Sequence, residues 1–241
     1  MHAKIKIGCC GFPVSRERYF RAFEVVEIQQ TFYQPPEDRL AAKWRAEAPE
    51  AFEYTLKAWQ LITHEPSSPT YRKLKAPIAG SKEKFYGSFK PTAEVFSAWE
   101  RTRTIAELLR ARVIVFQCPP SFIPSAEHKK NMRTFFSSVR RDGFVFAWEP
   151  RGTWMPDEIR NLCEELDLVS IVDPLKAAPQ YGTIRYFRLH GKGGYRYKYT
   201  DGDLAALKRA TETMQETYVL FNNIFMYDDA VAFKELRSRG R

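Results

Sequence analysis

Arg112-Val113-Ile114-Val115-Phe116-Gln117, a helix-patterned stretch over Ser125–Val139, and Phe144-Val145-Phe146-Ala147-Trp148-Glu149 make up the segment that decides the fold. Two short runs of β-branched and aromatic residues flank one amphipathic stretch. That is the pattern of a parallel βαβ unit, in which the crossover helix covers a face of strands that are apolar on both sides. The pattern continues in both directions. Further strands are predicted at Lys4–Cys9, Val25–Gln29, Phe52–Lys57, Val169–Val172, Ile184–His190 and Tyr218–Asn222. Further helices are predicted at Ser15–Phe23, Pro36–Ala48, Thr92–Arg110, Met155–Leu166, Asp201–Thr217 and Asp228–Ser238. Pro36-Glu37-Asp38 has the chemistry of a helix start, and Thr200 or Asp201, and Asp228, are N-cap candidates.

Eight strands alternating with about seven helices predict an α/β chain folded as one compact (β/α)8 barrel over residues 1–241. The link Asp173–Thr183 is too short and proline-rich for a helix between strands six and seven. Ala58–Lys90, with three prolines, reads as a long, partly helical excursion over the barrel mouth. An open doubly wound sheet is disfavoured. Gly8-Cys9-Cys10-Gly11 lacks the spacing of a dinucleotide-binding turn, and no Walker loop occurs.

Hydrophobic residues at 44% and charged residues at 28% supply a core and exclude a disordered chain. No apolar run approaches the ~20 residues of a membrane span. The start, Met1 to Gly8, has no signal-peptide features. Cys9, Cys10, Cys118 and Cys163 are scattered without a Cys-x-x-Cys pair and read as reduced core thiols. These features predict a cytoplasmic protein with no membrane partner. The net charge of +9 is concentrated in two windows. Residues 66–90 hold Arg72, Lys73, Lys75, Lys82, Lys84 and Lys90 against Glu83, and residues 184–198 hold Arg185, Arg188, Lys192, Arg196 and Lys198 with no acid. Tyrosines accompany both windows. Basic groups that release counterions and rings that stack on bases suit a nucleic acid or a phosphorylated small molecule.

In a barrel the chemistry sits at the C-terminal strand ends. Here those ends carry Gly11 after strand one, Glu27 and Gln29 on one face of strand two, Lys57, Gln117, Glu149 followed by Arg151 and Trp154, Asp173, Arg188 with His190, and Asn222-Asn223. Glu27 lies within an apolar run and needs a partner: Lys57, Arg188 or a metal ion. His190 suits general acid–base chemistry, anion contact or metal ligation. His64 lies on the long excursion, where it could close over the site. Glu27, Glu149, Asp173 and His190 are the candidate ligands of a divalent metal, without a local ligand motif to support one. The absence of Gly-x-Ser-x-Gly argues against a serine hydrolase of the α/β-hydrolase type.

Several of these stretches together resemble the YecE-like family of uncharacterised bacterial and archaeal proteins. They are Gly8-Cys9-Cys10-Gly11-Phe12, Glu27-Ile28-Gln29-Gln30-Thr31-Phe32-Tyr33, Lys57 with Thr63-His64, and Gln117-Cys118-Pro119-Pro120. Glu149-Pro150-Arg151 with Trp154, Arg188-Leu189-His190-Gly191 with Tyr195 and Tyr199 beyond it, and Phe221-Asn222-Asn223 complete the set. The resemblance spans nearly the whole chain. It implies a TIM barrel, similar in outline to a group that includes metal-dependent sugar isomerases and an apurinic-site endonuclease, and it implies no established reaction. Phe12 stands where the family has Trp, Gln29 where it has Asn, and Cys9-Cys10 where it has Thr-Ser, so the turn after strand one lacks a hydroxyl pair that could hold a phosphate.

The expectation is an enzyme, a hydrolase or nuclease, acting on a phosphate-containing substrate, foremost a nucleic acid. Glu27 and Glu149 would serve as base or metal ligand, His190 as acid–base, and Lys57 and Arg188 as charge stabilisers. Gly11, Gln29, Tyr33, His64, Gln117, Arg151, Trp154, Tyr195, Asn222 and Asn223 would bind substrate. A non-catalytic nucleic-acid-binding protein and a sugar or sugar-phosphate enzyme with a closed pocket are the alternatives.

Overall fold

A computed structural model describes residues 4–239. Its strands are β1 (Ile5–Cys10), β2 (Val25–Ile28), β3 (Glu53–Lys57), β4 (Val113–Gln117), β5 (Val145–Glu149), β6 (Val169–Val172), β7 (Arg185–Leu189) and β8 (Thr217–Phe221). They form a closed parallel barrel in sequential order, with β1 also paired to β8 through Gly8 opposite Leu220. The helices are α1 (Arg16–Ala22), α2 (Gln30–Tyr33), α3 (Asp38–Glu47), α4 (Gln60–Thr63), α5 (Ala93–Leu109), α6 (Ala126–Ser138), α7 (Pro156–Glu165), α8 (Asp201–Ala210) and α9 (Met226–Ser238). No helix intervenes between β6 and β7. Each strand begins and ends within one residue of its expected bounds, because strand length is set by the apolar run that both faces must bury.

The helix bounds depart further in three places: α3 begins at Asp38 rather than Pro36, α9 at Met226 rather than Asp228, and α8 ends early. The helix expected over Asp201–Thr217 stops at Ala210, and β8 begins at Thr217. Thr200 is the N-cap of α8: its hydroxyl accepts from the Asp203 backbone N–H, and the Asp203 carboxylate reaches back to the Thr200 N–H. Asp228 is not an N-cap but lies in the first turn of α9, where its charge faces the positive end of the helix dipole.

Two apolar layers hold the barrel. The larger lies between strands and helices and centres on Trp99, Phe116, Phe135 and Phe146. The smaller fills the barrel interior with Val25, Val113, Val115, Ala147, Ile171, Tyr186, Tyr218 and Leu220. Tyr186 and Tyr218 stack there with ring centres 5.3 Å apart. The bottom of the barrel is closed by charge. Buried Lys6 pairs with Glu53 and with Glu216 (2.9 Å), Arg112 pairs with Glu216 (2.6 Å), and the Tyr218 hydroxyl joins Lys6 and Glu53.

The excursion after β3 is tied back to the barrel. It runs through α4 and two 3-10 turns, Pro69–Lys73 and Gly80–Phe85. It then returns so that Gly87 N and Phe89 N donate to Leu61 O (2.9 Å) and Ile62 O (2.8 Å). Gly87 has φ +79°, and a Cβ there would meet the His64 carbonyl oxygen at 2.3 Å, so glycine is required. Phe89 is fully buried among Phe116, Phe122, Phe135 and Phe136 and anchors the return.

At the start of the barrel the Tyr19 hydroxyl donates to Val25 O (2.9 Å) and accepts from Cys9 N (2.7 Å), bridging β1 and β2. A Cβ on Gly8 would lie 2.1 Å from that same Val25 oxygen. Gly8→Ala is therefore expected to destabilise the fold by about 2–3 kcal/mol, the scale of a forced overpacking. Urea unfolding with the slope unchanged measures it, and a shift under about 0.5 kcal/mol would contradict this account of the β1–β2 seam.

Candidate functional site

Inward-facing residues at the C-terminal ends of the strands form the upper mouth of the barrel, and Arg188 of β7 lies at its centre with 1% of its surface exposed. Its Nη2 donates to Glu27 Oε1 (2.8 Å) from β2. Its Nη1 donates to Gln117 Oε1 (2.9 Å) from β4 and to Glu149 Oε2 from β5. One guanidinium thus joins four strands. The remaining acceptors are also used. Glu27 Oε2 accepts from the Tyr186 hydroxyl (2.9 Å), which also meets the Thr55 hydroxyl at 2.7 Å. Glu27 Oε1 accepts from Gln29 Nε2 as well.

Glu149 Oε1 accepts from Arg151 Nη2 (2.8 Å) and lies 2.9 Å from His190 Nε2. The other ring nitrogen, Nδ1, is 3.1 Å from Asn222 Nδ2. A proton on Nε2 meets the Glu149 and Asn222 contacts, with Nε2–H donating to the carboxylate and Nδ1 accepting from the amide; Arg151 Nη2, 3.0 Å from the same Nε2, then donates to Glu149 Oε1 alone. Burial alone would raise the Glu149 carboxyl. Arg188, the His190 hydrogen bond and Arg151 outweigh it and hold the group well below the ordinary carboxylate range. Glu149 is therefore ionised wherever the protein is folded near neutrality.

Lys57, at the end of β3, is the cation that this pairing leaves over. It is 5% exposed, and its Nζ lies 3.6 Å from the centre of the Phe32 ring. Burial pushes it down and Arg188 adds to the effect, against the pull of Glu27 and Glu149, bringing it from 10.5 to about 7. Burial, then Lys57 and Arg151, also push His64 down to about 3, so its imidazole is neutral. His64 packs edge-on against Phe32 at 4.8 Å and its Nδ1 meets the Thr63 hydroxyl at 2.8 Å.

A cavity of about 410 Å³ opens above this cluster. His64, Gln117 and Arg151 line it together with Ser67, Ser68 and Pro119. The excursion after β3 and the turn after β4 therefore form its walls.

The structure brings together Glu27, Gln29, Gln117, Glu149, Arg151, Arg188, His190 and Asn222 in one hydrogen-bonded network, with Lys57 and His64 beside it. Gly11, with φ +105°, ends β1 close to the Gln29 side chain. Tyr33 lies beneath the Lys73 ammonium at 3.9 Å.

Other expected residues are engaged elsewhere. Trp154 is buried, donates to Phe122 O (2.6 Å) and stacks on the Phe122 ring, so it is a packing residue rather than a platform for substrate. Asn223 is fully buried and fastens the loop after β7 to α9, donating to Tyr197 O (2.7 Å) and Asp229 Oδ2 (2.6 Å). Asp173 caps its own turn at Leu175 N (3.1 Å) and pairs with Lys176. Tyr195 is exposed on the outer loop.

Cys10, Thr55 and Tyr186 belong to the mouth and escaped the sequence reading. Strand alternation could have found Thr55 and Tyr186, which lie two positions from Lys57 and Arg188. Burial, then Glu27, raises the Cys10 thiol well above its ordinary range, so it stays protonated.

The basic windows are also partly answered from within. Lys90 pairs with Glu65, Lys75 with Glu37 and Lys192 with Asp203, while Arg185 starts β7 at the far end of the barrel from Arg188. Arg72, Lys82, Lys84, Arg196 and Lys198 remain exposed.

The donors named as candidate ligands of a divalent metal, Glu27, Glu149, Asp173 and His190, do not form a site for one as they stand. Among the described residues no group of three or more His, Cys, Asp or Glu is placed to hold one. All four carboxylate oxygens of Glu27 and Glu149 already accept hydrogen bonds, and three of the four accept from a guanidinium group that a cation would have to displace. No described helix is long and apolar enough to cross a membrane.

Comparison with known proteins agrees with the fold. The chain is similar to UPF0759 protein YunF of Bacillus subtilis, 25% identical over 248 residues, covering 86% of this chain and 79% of that one. It is similar to the crystal structure of a DUF72 family protein from Enterococcus faecalis, with TM-score 0.72, 20% identity and 98% of each chain covered. A DUF72 family protein from Thermotoga maritima gives TM-score 0.70 at 19% identity, covering 98% of this chain and 99% of that one. More distant barrels share the fold alone. Endonuclease IV from Thermus thermophilus has TM-score 0.56 at 12% identity over 96% of this chain and 99% of that one. An IolI protein described with a binding zinc atom has TM-score 0.55 at 10% identity, covering 96% of each chain. The family described as "Protein of unknown function DUF72" matches residues 15–238, and the chain belongs to that family.

Proposed function

We propose that the protein is an enzyme acting on a small anionic substrate, phosphorylated or carboxylated, held in the cavity above Arg188. The observation that carries this reading is the open cavity of about 410 Å³, the size of a small-molecule site, whose lining includes Gln117 and Arg151, the residues that bond Arg188 and Glu149. Arg151 Nε and Arg188 Nε are buried without a hydrogen-bond partner. Of the two, Arg151 lines the cavity, and an unpaired guanidinium N–H there suits an anionic ligand. Arg151 and Gln117 would hold the anionic group. His190, with its proton directed at an ionised Glu149, would exchange protons with the substrate, and Lys57, near its midpoint at neutral pH, is matched to the same task. Arg188 would hold both carboxylates in place and keep Glu149 charged.

The nucleic-acid alternative draws on the exposed cations of the two loops, Arg72, Lys82, Lys84, Arg196 and Lys198. The walls built by the excursion after β3 favour the smaller substrate. Inorganic phosphate and glycerol 3-phosphate should raise the melting temperature in a concentration-dependent way, and Arg151→Ala should weaken either ligand about tenfold, the worth of a charge-assisted hydrogen bond. Calorimetric titration checks both. No effect of either anion, together with DNA binding that falls steeply with salt, would overturn the reading in favour of nucleic acid.

Arg188→Met should cost about 3–5 kcal/mol at pH 7, because it leaves buried Glu27 without its cation and Glu149 with Arg151 alone. Arg188 is the largest of the influences that hold the Glu149 carboxyl low against burial, so without it the folded-state pKa of Glu149 rises. The variant's folded state then takes up a proton on Glu149 at higher pH than the parent's does, and the loss should shrink as pH falls. A loss that is the same at pH 5 and pH 7 would contradict the neutralising role.

A further inference from the structure

Lys57 is placed as a nucleophile is placed, and the acid–base reading does not use its full chemistry. Its backbone is fixed: it ends a barrel strand, and the Thr31 hydroxyl donates to its carbonyl at 2.7 Å. Its Nζ makes no hydrogen bond or ion pair within the described residues. The two carboxylates that could have paired with it, Glu27 and Glu149, are both bound to Arg188. The amine rests instead on the face of Phe32, which packs on His64, which lines the cavity. An unpaired amine on a rigid strand, beside a second cation and against an apolar wall, is the environment that activates a lysine toward carbonyl carbon.

The geometry points to Lys57 as the amine that forms a Schiff base with an aldehyde or ketone group of the small anionic substrate. The inference rests on the small-anion reading above and names the reactive group of that substrate. The lowered lysine supports it, since near pH 7 a large share of the side chain is already the free amine. In the step, the ammonium gives one proton to water and the nitrogen lone pair forms the C–N bond. The resulting carbinolamine hydroxyl takes a proton back and leaves as water. The product is a protonated C=N bond whose charge lies where the ammonium charge lay, over Phe32 and near Glu27 and Glu149. One carbonyl and one ammonium become one iminium and one water, and nothing is oxidised or reduced.

Formaldehyde is the smallest carbonyl probe and needs no specific recognition. The protein would be treated at pH 7 with less than one equivalent of formaldehyde and sodium cyanoborohydride, and the methylated lysines mapped by peptide mass spectrometry. Lys57 should be labelled at least about tenfold faster than the exposed Lys82 and Lys84. Inorganic phosphate should slow that labelling selectively, and Lys57→Met should remove the fast site while leaving Lys82 and Lys84 unchanged. Labelling of Lys82 and Lys84 with Lys57 untouched would overturn the proposal. If phosphate still binds and Arg151→Ala still weakens it, the Schiff base falls and the small-anion site stands. If phosphate does not bind either, the reading on which the proposal rests falls with it.

Discussion

A guanidinium buried between two carboxylates is the constraint from which the upper half of this barrel follows. Arg188 lies where eight strands converge and no water layer can solvate a charge, so its cost is met only by hydrogen bonds of good geometry. Glu27, Glu149 and Gln117 supply them from three other strands. Once those acceptors are taken, the surrounding choices narrow. Tyr186 can reach the second oxygen of Glu27, Arg151 and His190 share the second oxygen of Glu149, and Lys57 has no carboxylate left. The low position of Lys57 is thus a consequence of how Arg188 is paired, in addition to burial.

The two ends of the barrel use charge differently. At the bottom Lys6, Arg112, Glu53, Glu216 and the Tyr218 hydroxyl contact one another, and both cations there have carboxylate partners. That is a plug. At the top one amine has no carboxylate partner, two guanidinium N–H groups lack acceptors, and a cavity leads to solvent. Unsatisfied polar groups are expensive and persist where binding will satisfy them. The asymmetry supports the upper mouth as the working end, which is also where barrel chemistry generally resides.

Much of this was legible in the sequence because the relevant signals are local. Eight apolar runs of strand length, separated by amphipathic stretches, define a closed barrel, and the parity of positions within each strand puts Glu27, Lys57, Gln117, Glu149 and Arg188 on one side. The partner choice of Glu27 was not legible. Lys57, Arg188 and a metal were all open, and only the barrel's closure brings β7 across from β2. Trp154 and Asn223 were misjudged for a related reason. Both follow a strand end in sequence, but the chain turns immediately after β5 and β8, so Trp154 packs on the turn after β4 and Asn223 bonds Asp229 of α9. Tyr186 and Thr55 were overlooked because a tyrosine and a threonine in a strand read as β-formers until their hydroxyls are seen to meet across the barrel. The charge windows suffered from averaging along the chain. Arg185 and Arg188 are three residues apart but belong to opposite ends of one strand.

Titration of Lys57 in the native protein tests the account most directly. Side-chain carbon and nitrogen resonances of labelled lysine, assigned with Lys57→Met, would be followed from pH 5 to pH 11. The account predicts that Lys57 loses its proton near pH 7, while the exposed lysines titrate near their ordinary value of about 10.4. A Lys57 midpoint at or above that of the exposed lysines would mean that Glu27 or Glu149 pairs with it after all. The division of charge around Arg188 described here would then be wrong.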